Sequence, residues 1–109
     1  MKKGLKIFES ELGGFCLSIT DWSDEVATVF EERDLQGGGH TWHGVCRALL
    51  ALYRPELVGA IEFEPEAENL YAYAKAREPL SQLASLVLHA MNDHAVLRAA
   101  IAKAGDALE

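Results

Sequence analysis

The chain has 109 residues, half of them hydrophobic, with a mean hydropathy near zero and a formal net charge of −7. This composition excludes a disordered chain and a membrane-spanning one, and the length fits a single domain, 1–109, whose core needs neither metal nor disulfide. An acidic balance repels nucleic acid backbones and suits a basic protein partner, although plain solubility also accounts for it.

At the start, Lys2 and Lys3 are followed by Glu9 and Glu11 rather than by an apolar run of signal length, so a cytoplasmic protein is expected. LKIFE, 5–9, alternates weakly and reads as a strand. GGFCLSIT, 13–20, alternates better, with Phe15, Leu17 and Ile19 on one face and Cys16 and Ser18 on the other. Gly13 and Gly14 supply the turn of a hairpin. A helix follows, with Trp22, Val26, Val29 and Phe30 on one side and Thr20, Asp21 or Ser23 to cap it. Asp24 and Glu25 suit its positive end. Glu31, Glu32 and Asp34 do not suit its negative end. Either the helix stops early there or those carboxylates have another use.

After a glycine run, Thr41 is positioned to cap a second helix. Trp42, Val45, Cys46, Leu49, Leu50 and Tyr53 form its apolar stripe, and Pro55 ends it. AIEFE, 60–64, is a half-buried strand with Glu62 and Glu64 on its wet face. PEAEN, 65–69, is a turn, and LYAYA, 70–74, returns with Tyr71 and Tyr73 opposite Leu70, Ala72 and Ala74. Two more helices follow. Leu80, Leu83, Val87, Leu88 and Met91 line the first; Val96 or Leu97, Ala100, Ile101 and Ala104 line the second, which Asp93 caps and Gly105 ends. The expected architecture is α+β: an antiparallel sheet with helices packed on one face, in the order ββααββαα. The order of elements repeats, without any residue-level repeat.

Chemistry concentrates in GGGHTWHG, 37–44. A phosphate-binding reading fails its context, because a helix precedes the glycines and neither GK[ST] nor GxGxxG is present. His40, His43 and Cys46 are spaced three apart and could turn in a similar direction from one helix, which gives a metal-binding reading. Against it, Cys46 falls among core positions, His89 and His94 belong to another region, and no fourth ligand is evident. Cys16 and Cys46 are expected to be buried free thiols, and nothing marks either as a nucleophile. Glu62, Glu64, Glu66 and Glu68 could contain an acid/base pair, but a wet strand face needs polar residues in any case. No residue set demands an enzyme, a cofactor or a metal. The simplest role for the glycines is a tight, left-handed turn between two helices, with Trp42 anchoring the second.

The second half of GGGHTWHG, together with EFEPEAENLYAYA, resembles the immunity protein 51 family of bacterial polymorphic toxin systems. Gly39 and Trp42 match that family's loop, and Pro55, Glu56 and Leu57 its helix end. Phe63, Pro65, Glu66 and Ala67 match its strand and turn, and Ala72 and Tyr73 its returning strand. Glu64 replaces a usual Asp, Thr41 another Asp, Gly38 an Asn and His40 an aromatic residue. The resemblance implies a non-catalytic inhibitor that binds a cognate toxin with a basic surface, without nucleic acid or membrane contact. The motif residues are then architectural. The contacts expected from this reading are Glu62, Glu64, Glu66, Glu68, Tyr71 and Tyr73, with Glu31, Glu32 and Asp34 as a second acidic group. Two other readings stand beside it: a metal-binding protein or enzyme using His40, His43 and Cys46, and a homodimeric module pairing through a sheet edge or the C-terminal helix.

Overall fold

Alternating side chains build the sheet. The computed structural model describes residues 5–11, 13–20, 24–35, 38–67 and 69–105, with the Asp24 side chain left aside. The strands are β1 (Leu5–Glu9), β2 (Phe15–Ile19), β3 (Glu62–Pro65) and β4 (Leu70–Ala74). They pair antiparallel in the order β1-β2-β4-β3. Register places Leu5, Ile19 and Leu70 in one row and Ile7, Leu17, Ala72 and Phe63 in the next. Leu5, Leu17, Ile19, Leu70 and Ala72 are buried, so this is the core face.

The helices are α1 (Asp24–Glu31), α2 (Gly39–Tyr53), α3 (Arg77–Asn92) and α4 (His94–Ala104). Helix α2 packs on β3 and β4, and α3 on β1, β2 and β4; α4 lies against α1, α2 and α3. The order is ββααββαα, as the periodicity predicts. Trp42 is fully buried and meets Phe30 edge-on, with ring centroids 5.4 Å apart and planes at 89°. That geometry sets the positive ring edge against the negative ring face. One aromatic pair thus ties α1 to α2.

Helix α1 does stop early, at Glu31, and Asp34 adopts a left-handed φ of 57° just beyond it. The carboxylates also have another use: Glu32 holds Arg98 of α4 through two hydrogen bonds, of 3.1 and 2.9 Å. Both groups are about half exposed, so water screens most of that attraction. Helix α2 starts three residues earlier than a cap at Thr41 would place it. Gly38 is its extended N-cap, and Thr41 sits buried inside the first turn. After Pro55 the chain forms a short 3-10 helix, Pro55–Ala60, which the sequence pattern does not reveal. Strand β3 consequently begins later than expected, at Glu62, and takes in Pro65. Asp93 caps α4 by accepting from the Ala95 N–H at 3.1 Å, and Gly105 closes it with φ 54°. The expected contributions of Asp21, Trp22 and Ser23 lie outside the described residues.

Candidate protein-binding surface

The second face of the sheet carries the residues that the strand pattern sends away from the core. Across it, Phe8, Cys16, Tyr73 and Glu62 are register partners in one row, and Lys6, Ser18, Tyr71 and Glu64 in the next. The apolar stripes of the helices pack on the other, core face, while Gly59 and Ala60 of the 3-10 helix share a cleft with Glu62 and Tyr73 at one border of this one. Phe8, Lys6, Glu62 and Glu64 are exposed, while Ser18, Tyr71 and Tyr73 are half-buried. Glu62 therefore stands directly across the strand gap from Tyr73, and Glu64 from Tyr71. Such cross-strand neighbours have Cβ atoms about 5 Å apart.

The expected contact residues thus separate by position. Glu62, Glu64, Tyr71 and Tyr73 form one surface. Glu66 is exposed but lies past the end of β3, in the turn, where its N–H donates to the Asn69 carbonyl at 2.8 Å. Glu68 lies outside the described residues. Phe8, 40 % exposed, belongs to the same face, as do Lys6 and Ser18. The alternation of LKIFE could have found Lys6 and Phe8, but only once the strand order had placed β1 beside β2.

Cys16 points to this open face and is nonetheless buried, with Phe8 and Tyr73 on either side in register. Burial pushes its thiol up, against opposing hydrogen bonds from Tyr73 and the Ala72 backbone. Burial also raises the Tyr73 phenol, helped by Cys16 and the Glu64 carboxylate. Both groups hold their protons at neutral pH, and a protonated thiol is a poor nucleophile. Cys46 is completely buried in the helical core, where desolvation drives its thiol strongly upward.

The loop around Gly38 and Gly39 serves packing. A Cβ on Gly39 would collide with the carbonyl oxygens of Glu66 and Asn69, and one on Gly38 with that of Ala67. The Gly39 N–H donates to the Ala67 carbonyl at 3.3 Å. The glycines are needed so that two backbones can touch. Neither Gly38 nor Gly39 has a positive φ, so the expected left-handed turn is not built at these two; Gly37 lies outside the described residues. The motif residues Gly39, Glu66 and Ala67 meet at this contact, just past Pro65 at the end of β3. Trp42 and Ala72 are in the core, and Phe63 stacks obliquely on His43 with centroids 5.0 Å apart.

His40, His43 and Cys46 do not converge. His40 is exposed, His43 half-buried and Cys46 fully buried, and no group of three or more potential ligands forms among the described residues. The His43 imidazole is pushed below its ordinary value by burial first, then by Arg47 and His40. Among the described residues no helix is long and apolar enough to cross a membrane.

A family model described as Immunity protein 51 matches residues 5–106. No curated protein and no solved structure matches the chain.

Proposed function

Because the chain belongs to the immunity protein 51 family, we propose that it binds a cognate bacterial toxin and holds it inactive, with no catalysis of its own. It acts in the cytoplasm of the producing cell or its siblings, where a self-directed toxin must be neutralised. The observation that carries the reading is the second sheet face, where Glu62 and Glu64 stand beside Tyr73 and Tyr71. Aromatic side chains flanked by charge are the usual anchors of protein interfaces. The net charge of −7 suits a toxin with a basic surface, such as one that must grip a polyanion. Glu66 and Glu68 extend the acidic surface around the turn.

The first experiment is co-expression with each toxin-like reading frame beside the gene, scored by growth. Rescue from one toxin identifies the partner. The variant Glu62→Lys with Glu64→Lys is then expected to weaken binding on the order of tenfold or more and to abolish rescue. Its melting temperature should stay near that of the parent, since both carboxylates are exposed. Full affinity in that variant would move the contact elsewhere, first to Glu31 and Asp34. Failure of every neighbouring gene to be toxic or to be rescued would sink the immunity reading itself.

A further inference from the structure

Away from the sheet, α2, α4 and the 3-10 helix enclose a cleft of about 350 Å³. Gly44, Ala48 and Ala51 of α2 line it, and Val58 of the 3-10 helix, 43 % exposed, adds an apolar wall. Arg47 from α2 and Lys103 from α4 border it, and both are exposed. Neither cation has an ion-pair partner among the described residues. Among the described residues no carboxylate lines this cleft, whereas the neighbouring one, which shares His43, Arg47 and Val58, includes Glu62. In a protein of net charge −7, two cations facing one apolar groove, unpaired among the described residues, are a local reversal of sign.

We propose that this groove docks a short acidic segment of a partner protein, seating an apolar side chain against Gly44, Ala48 and Ala51 and its carboxylates on Arg47 and Lys103. Small residues along α2 leave room for the apolar side chain. The volume suits one or two medium side chains rather than a folded surface. The arginine fork matches a carboxylate with paired hydrogen bonds, and the lysine supplies a compact second charge. A long polyanion such as nucleic acid would be repelled by the rest of the molecule, whereas a short segment feels mainly the local field. The site lies on other elements than the open sheet face and does not depend on that face being the toxin contact.

The test is amide-resolved NMR of the full chain, titrated with two capped hexapeptide pools. One pool is randomised over Asp, Glu, Leu and Phe, the other over Lys, Arg, Leu and Phe. The acidic pool is expected to shift the amides of Gly44, Ala48, Ala51 and Ala104, and the basic pool to leave them in place. Arg47→Glu with Lys103→Glu should weaken that response at least tenfold. Lys103 also complements the C-terminal end of the α4 dipole, so Arg47→Gln with Lys103→Gln serves as a milder pair, and an unchanged amide spectrum certifies the fold. No response to the acidic pool, an equal response in both variants, or shifts confined to another surface would overturn the proposal. So would tighter binding of a short single-stranded oligonucleotide at the same amides.

Discussion

At the scale of single residues, Gly39 separates what sequence can say from what it cannot. The glycine run announces a special backbone. The reason for it is a contact with Glu66 and Asn69, almost thirty positions away, which no local pattern contains. Gly39→Ala is therefore expected to destabilise the protein by about 3 kcal/mol, since the obstructing atoms are backbone and cannot swing aside. Chemical denaturation reads this directly, and a loss under about 1 kcal/mol would mean that the turn yields to the methyl group. Thr41 illustrates the reverse error. Its type suits an N-cap, but the helix starts at Gly39, so a cap by composition became a buried first-turn residue. Cys16 was expected opposite Leu17 and as a buried free thiol, and it is both; Phe8 and Tyr73 flank it in register from two other strands.

At the scale of elements, periodicity was a good guide wherever a face had to be buried. Strand β4 matches its expected bounds, and both C-terminal helices fall where their apolar stripes put them. The 3-10 helix was missed because Pro55–Ala60 has no buried residue to impose a period. The contact surface was half legible: alternation assigned Glu62, Glu64, Tyr71 and Tyr73 to the wet sides of two strands, but not the register that faces them. Where α2 meets β3, His43 lies between Phe63, Arg47 and His40, with Glu62 lining the same cleft. Its folded-state pKa is lowered below the ordinary 6.5, so the unfolded chain binds the proton more readily. The stability this site contributes is complete above pH 6.5 and is lost as pH falls through the lower folded value. Melting temperature should drop over that window, and His43→Phe, which keeps a ring against Phe63, should flatten the drop. Parallel pH profiles for parent and variant would show that the imidazole is not desolvated enough to matter.

At the scale of the whole molecule, the layering fixes which surfaces are available. Helices α2 and α3 occupy one side of the sheet, and α4 forms a further layer beyond them. That leaves an acidic–aromatic sheet face and a small cationic groove on different elements, suited to partners of opposite charge. If the sheet face steers a basic toxin, association should slow on the order of tenfold or more between about 0.05 and 0.5 M salt, because screening shortens the reach of the field. Dissociation should change much less, since it is governed by the close contacts. Stopped-flow mixing with the identified toxin measures both, and an association rate indifferent to salt would remove charge steering from the account.

The order β1-β2-β4-β3 leaves β1 and β3 as the outermost strands. Strand β3 has only four residues and ends on Pro65, which has no N–H to offer a new neighbour. A second copy laid against it in antiparallel fashion would also bring its own Glu62 and Glu64 toward this pair. Among the described strands β1 is therefore the more receptive edge for a strand added by another molecule. Endless ribbons need two receptive borders on every molecule, and here one is closed. Self-association through the sheet would then terminate at a pair, with the shortest strand as the guard against fibre growth.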